Sequence, residues 1–322
     1  MKTPTSVFTA FEWPFWKAYG IQMRPYLLFV SGAAGATGIA MGSQGDEAVW
    51  KWCLTFLPLF LGYGFGQALT DCFQTDTDKL SAPYRPLSQE IISIRSVLIT
   101  SVLGLLLSGL ILFWLHPLSF IFSLTAVVGL STYSYIKRHF WFGGPFYNGW
   151  IVALLPMMGY FGVRVSTDWE FPSAYYGYIL LTLISYANFV LIGYLKDIEA
   201  DRATNYRTFP VVYGWTKTVW VGDLFVLLSL LLFWLQPLGE RWFWFFGVTG
   251  TTVMVFGQVA AHLTSEKNEV GALIPIKSTV RGFILLHLAV IVQFQPDWYW
   301  IALVFYALFE WALYKRPSAY QV

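Results

Sequence analysis

The sequence is poor in charge: Asp, Glu, Lys and Arg make up 12% of its 322 residues, about half the share usual in a soluble domain. A water-exposed surface of ordinary composition is thereby excluded. Cysteine is also scarce. The two that are present, Cys53 and Cys72, are too few for a disulfide framework and read as packing residues. A net charge of +2 calls for no nucleic-acid partner. What the chain has instead is 57% hydrophobic and 20% aromatic residues, with a mean hydropathy of +0.56.

Distribution decides the class. The apolar residues fall into runs of about 17 to 25, the length a helix needs to cross a bilayer core. Ten such runs are expected to span, at 25–43, 50–70, 93–115, 118–136, 147–165, 174–195, 215–236, 241–262, 279–294 and 298–314. The ninth is short and reads as partly re-entrant. Of 20 Lys and Arg, three (Lys51, Arg164 and Arg241) fall on the outer side of this arrangement and the other 17 on the inner, as cytoplasmic loops require. Both termini are then cytoplasmic. The fold class is all-α: a polytopic membrane protein of nine to ten transmembrane helices around a central cavity. Residues 1–24 are expected to form a cytoplasmic or interfacial segment, 25–316 a single transmembrane domain and 317–322 a short cytoplasmic tail. Met1 to Gly20, with Trp13 and Trp16, lacks the apolar core of a signal peptide.

Two acidic clusters stand out. One runs from Thr70 through Asp71, Gln74, Asp76 and Asp78 to Lys79, followed by Pro83-Tyr84-Arg85-Pro86. The other is Lys196-Asp197-Ile198-Glu199-Ala200-Asp201-Arg202, followed by Asn205-Tyr206-Arg207. Four spans separate them, so both face the cytoplasm and suggest a parallel internal repeat. If the helices continue past the membrane boundary, Asp71 and Asp78 share a helical face, as do Asp197 and Asp201. Stacked carboxylates repel unless a cation lies between them, and hard oxygen ligands with room left for phosphate describe Mg2+. Asp76 is a further candidate ligand. Arg85, Lys137, Arg138, Lys196 and Arg207 lie in the same loops and offer donors to phosphate oxygens, although the topology rule alone would place basic residues there. Asp223, Glu310 and His287 fall within spans. Asp223 is expected to reach the inner surface, and His287 to hydrogen-bond between helices.

With Asp71, Asp78, the Pro-Tyr-Arg-Pro tail and the Asp197/Asp201 pair in place, the chain resembles the UbiA superfamily of intramembrane prenyltransferases from about Arg24 to the eighth or ninth span. Members carry Asn-Asp-x-x-Asp-x-x-x-Asp after the second span and Asp-x-x-x-Asp after the sixth. Here Thr70 stands for the asparagine and Gln74 for the middle aspartate, while Tyr194 replaces an upstream acid of the second motif. Tyr133-Ser134-Tyr135-Ile136-Lys137-Arg138 looks like the loop whose tyrosine and basic residues face the diphosphate. The family usually has nine helices, so a tenth is a departure.

The resemblance implies Mg2+-assisted ionisation of an allylic isoprenoid diphosphate at Asp71, Asp78, Asp197 and Asp201, with Tyr133 and Gln74 beside the substrate. Aromatic faces, among them Tyr63, Phe65, Tyr133, Tyr186 and Phe189, are candidates to shield the carbocation. A lipophilic acceptor, expected to be aromatic, then takes the prenyl group within the membrane lipids. The altered first motif keeps a second activity in view, cyclisation of farnesyl or geranylgeranyl diphosphate without an acceptor. A transporter is the non-enzymatic rival, but transport sites lie near the bilayer midplane and these acids lie at span ends.

Overall fold

In hydrocarbon a backbone can satisfy its own polar groups only as a helix or a closed barrel, and each of the ten apolar runs is helical. The computed structural model describes residues 7–45, 48–165, 167 and 169–316; Lys2 and the expected tail 317–322 lie outside the described residues. In chain order the helices are α1 (Trp13–Gln22), α2 (Pro25–Gly42), α3 (Val49–Asp71), α4 (Thr75–Ser81), α5 (Ile94–Leu115), α6 (Pro117–His139), α7 (Gly143–Val163), α8 (Tyr176–Gly193), α9 (Ile198–Ala203), α10 (Phe209–Trp234), α11 (Arg241–Leu263), α12 (Glu269–Phe294) and α13 (Tyr299–Tyr314). Among the described residues nine helices are long and apolar enough to cross a membrane. The tenth expected span is α13, whose 16 residues cover about 24 Å and fall short of a typical hydrocarbon core.

Two boundaries differ from expectation. The seventh span begins at Phe209 rather than 215, and Gly214, with φ 79°, interrupts it; the apolar pattern starts only beyond that kink. The ninth is neither short nor re-entrant. It begins at Glu269, where the Asn268 side chain accepts from the backbone N–H groups of Val270 and Gly271, and runs for 26 residues through Pro275. Pro275, Lys277 and Ser278 disguise its first third as a loop.

Close backbone approach organises the bundle. A Cβ on Gly38 would stand 1.8 Å from the Pro156 carbonyl oxygen, and one on Gly159 2.2 Å from that of Gly35, so α2 and α7 pack backbone to backbone as small residues allow in membranes. Helix α12 is almost wholly buried, and it packs against α2, α8, α11 and α13. Its His287 accepts or donates at 3.0 Å with the Thr182 hydroxyl of α8 and bonds the Phe283 carbonyl at 2.8 Å. Polar span residues are likewise paired: Asp223 with His262 at 2.7 Å, and Glu310 of α13 with Arg281 of α12 at 2.7 and 2.8 Å. Helices α5 and α6 lie at the periphery, with many apolar side chains exposed.

Ahead of the spans, α1 buries Phe15 and Tyr19 and leaves Trp13 and Trp16 exposed, with Phe11 exposed just before it, the division of an interfacial helix. Upstream of it, the Phe8 N–H donates to the Ile91 carbonyl at 3.0 Å. The N-terminal segment is thus fastened to the loop that follows α4.

Candidate active site

Helix α3 delivers Gln67, Thr70 and Asp71 to its inner end, the end that carries the acidic segments, and there it stops. The N–H groups of Cys72, Phe73 and Gln74 turn back to Leu69, Thr70 and Asp71, and α4 restarts at Thr75 with Asp76 and Asp78 in its first turn, where carboxylates suit the helix dipole. Asp71 and Asp78 therefore do not share the face of one continuous helix. A cation joins them instead: Arg85 Nη1 lies 2.6 Å from Asp78 Oδ2 and 3.7 Å from Asp71 Oδ1. Burial alone would lower the pKa of the Arg85 guanidinium, yet Asp78 and Asp71 hold it above its ordinary value. It stays charged.

Asp71 has two further partners. Arg24 Nη2 donates to Oδ1 at 2.6 Å and Gln22 Nε2 to Oδ2 at 2.5 Å, while Gln22 Oε1 accepts from the Leu87 N–H at 3.3 Å. Arg24 sits at φ 54°, immediately before Pro25. A left-handed backbone at a non-glycine residue is costly and persists only where its surroundings enforce it, here through the ion pair. Sequence reasoning missed Arg24 and Gln22 because a basic residue before the first span satisfies the topology rule without further role. Their one signal is the Arg-Pro step at the membrane boundary.

The second acidic segment follows the same plan. Helix α8 ends at Gly193, a 3-10 turn carries Tyr194 to Lys196, and Asp197 stands immediately before α9 without a side-chain capping bond. Asp197 faces the chamber described below. Asp201 is fully buried, with Lys137 Nζ 3.2 Å from Oδ1 and the Thr208 hydroxyl donating to Oδ2 at 3.0 Å. Burial pushes its carboxyl up to about 6, against the pull of Lys137. The two segments meet where the hydroxyls of Thr77 and Thr204 hydrogen-bond at 2.7 Å.

A chamber opens between them. Among the described residues four basic side chains, Arg24, Arg85, Lys137 and Lys196, and three acidic ones, Asp71, Asp78 and Asp197, line it, a surplus of one positive charge. Gln74 lines it too and donates to the Ser134 hydroxyl at 2.9 Å; Tyr133 bonds the Tyr194 hydroxyl at 2.7 Å. Other expected site residues lie apart. Asp76 pairs with Arg138, whose guanidinium stacks 4.4 Å over the Tyr206 ring. Arg207 is exposed, and its N–H donates to the Arg138 carbonyl.

Below the chamber lies an apolar cavity. Tyr63, Gln67, Tyr133, Asn148 and Tyr186 border both spaces and form a neck, where the Tyr63 and Tyr186 hydroxyls meet at 2.6 Å. Leu105, Ser123 and Val127 in turn belong both to this cavity and to a groove on the outer faces of α5 and α6. Such a space takes an amphiphile, with its anionic head among the basic side chains and its apolar tail toward the bilayer.

Among the described residues no three His, Cys, Asp or Glu side chains converge to hold a metal by themselves. The donor set still suits Mg2+. That ion is commonly bound through one or two carboxylates together with substrate phosphates, Asp71, Asp78 and Asp197 supply hard oxygens around one chamber, and a surplus of one positive charge falls short of a diphosphate's demand.

A profile of the UbiA prenyltransferase family matches residues 28–277. Among curated proteins, the digeranylgeranylglyceryl phosphate synthase of Thermococcus kodakarensis is 28% identical over 220 residues, 67% of this chain and 76% of that protein. The chloroplastic chlorophyll synthase of Oryza sativa subsp. japonica is 31% identical over 175 residues, 49% of this chain and 44% of that protein. The solved structure of a UbiA homologue from Archaeoglobus fulgidus bound to DMAPP and Mg2+ superposes with a TM-score of 0.61 at 16% identity, over 83% of this chain and 98% of that one, which is a likeness of fold.

Proposed function

The chain belongs to the UbiA prenyltransferase family, multi-pass membrane enzymes acting on isoprenoid diphosphates, and we propose that it transfers the prenyl group of an allylic diphosphate, with Mg2+, to a lipophilic acceptor. The observation that carries this reading is the junction of a charged chamber with an apolar cavity across a neck of tyrosines and carboxamides. The chamber would open to the cytoplasm, the side to which the basic residues segregate.

In this reading Lys137, Lys196, Arg24 and Arg85 receive the diphosphate, and Asp71, Asp78 and Asp197 hold Mg2+ against it. When bound, the ion neutralises charge on the leaving diphosphate. Arg85 and Arg24 are held in place by carboxylates before substrate arrives, so little reorganisation accompanies charge development. The bond that breaks lies at the neck, between head and tail. There the ring faces of Tyr63, Tyr133 and Tyr186 favour a cation, and the apolar walls below exclude water. Lys137, backed by Asp201, keeps its charge directed into the chamber.

The relatives are named for unlike products, a glyceryl phosphate and chlorophyll, so the reading takes no particular acceptor from them. The test supplies purified protein in lipid nanodiscs with labelled geranyl, farnesyl and geranylgeranyl diphosphate, a membrane lipid extract as acceptor, and either Mg2+ or a chelator. Labelled lipid and free diphosphate are expected only with Mg2+ and extract together. A cyclic hydrocarbon formed without extract, or no consumption of any donor, would overturn the transferase reading.

A further inference from the structure

The second half of α3 carries glycines at 62, 64 and 66, and they serve different ends. A Cβ on Gly64 would lie 2.6 Å from Met23 and 2.7 Å from Leu28, and one on Gly66 2.8 Å from Leu130. Neighbours fill the space at both positions. A Cβ on Gly62 would meet nothing within 4 Å, and its φ lies outside the left-handed region. Neither packing nor backbone conformation asks for glycine there, although glycine inside a helix is less favourable than alanine.

The open space beside Gly62 is the apolar cavity. Tyr63 of the neck is its chain neighbour, and Leu59, a turn deeper on α3, lines the same cavity. Along α7 the lining runs from Asn148 at the neck to Met158 at the far end, about 15 Å at the helical rise. One isoprene unit adds four main-chain carbons, about 5 Å when extended. The tail of a membrane-bound donor has already left water, and protein walls offer it little that lipid does not. Selection among tails is therefore steric.

We propose that Gly62 is a specificity-determining residue: the side chain it lacks is the passage by which a prenyl tail longer than one isoprene unit runs from the neck to the far end of the apolar cavity. The inference rests on the donor reading above. Bulk at position 62 narrows the cavity just beyond the reacting carbon, so it leaves the shortest donor alone and rejects the rest.

The experiment measures dissociation constants for the uncleavable S-thiolodiphosphates of dimethylallyl, geranyl and farnesyl chains, with Mg2+ and protein in nanodiscs, corrected against empty discs. Wild type, Gly62→Ala and Gly62→Leu are compared. Gly62→Leu is expected to keep its affinity for the dimethylallyl compound within twofold and to lose at least tenfold for the farnesyl one, with Gly62→Ala between and no less heat-stable than wild type. Equal weakening of all three compounds, or of none, would overturn the inference while leaving the donor reading intact. Should Gly62→Leu fail to fold, the farnesyl-to-dimethylallyl ratio of Gly62→Ala decides in the same way. Wild-type protein that binds none of the three compounds would overturn the donor reading and this inference with it.

Discussion

The hydroxyls of Tyr63 and Tyr186 lie 2.6 Å apart, one from α3 and one from α8, where the charged chamber narrows into the apolar cavity. Tyr63→Phe or Tyr186→Phe strands the remaining hydroxyl, which costs about 1–3 kcal/mol when it is buried. The double variant removes both partners and is expected to lose less than the sum of the single losses. A double-mutant cycle on thermal unfolding in detergent measures the difference; strict additivity would show that the two hydroxyls do not interact.

Arg85 serves Asp78 and Asp71 together. Arg85→Ala leaves two buried carboxylates with less compensation, so both stability and turnover should fall, stability by about 3–5 kcal/mol. Arg85→Lys keeps a point charge without the guanidinium's breadth, and is expected to retain stability better than activity. Steady-state kinetics beside denaturation of the same preparations checks the split.

Asp201 makes a pH prediction. The folded protein holds this proton more tightly than an unfolded chain, where the carboxyl titrates near 3.8. Its contribution to stability is therefore full below about pH 4 and is lost as pH rises through about 6. Asp201→Asn abolishes that dependence, so the stability of the variant relative to wild type should rise between about pH 4 and pH 7. Unfolding free energies without Mg2+ or substrate test it, and a flat difference would count against the shifted carboxyl.

Glu310 of α13 binds Arg281 of α12 through two hydrogen bonds and accepts a third from Tyr306 at 2.9 Å. Glu310→Leu leaves an unpaired guanidinium among membrane helices, at a cost of about 3 kcal/mol or more. Combining it with Arg281→Met should restore most of the loss, read as the midpoint of thermal unfolding. If the double variant is no better than the single one, the pair is not what fastens α13.

The spans were legible because hydrocarbon leaves the backbone so few choices, and the acidic clusters because carboxylates at span ends have no topological reason to be there. What escaped the sequence depends on contacts between distant segments. Nothing near Asp71 announces that α3 breaks after it, because the break answers to Arg85, 14 positions on, and to Gln22 and Arg24 from the opposite side. Asp197 and Asp201 look equivalent in spacing, yet one stands at the start of α9 facing the chamber and the other turns back to Lys137. The start of α12 was hidden for a local reason, since Pro275 and Lys277 carry the composition of a loop into a helix.

Gln22 and Arg24 give the N-terminal segment a stake in the centre of the molecule. Helix α1, its exposed tryptophans and the Phe8 bond to Ile91 continue directly into the two donors that grip the Asp71 carboxylate. A tag placed close to residue 8, or a truncation chosen to trim the chain back to its first membrane helix, would cut the tether that presets this carboxylate. Expression vectors for the protein are better built with their fusions at the far terminus.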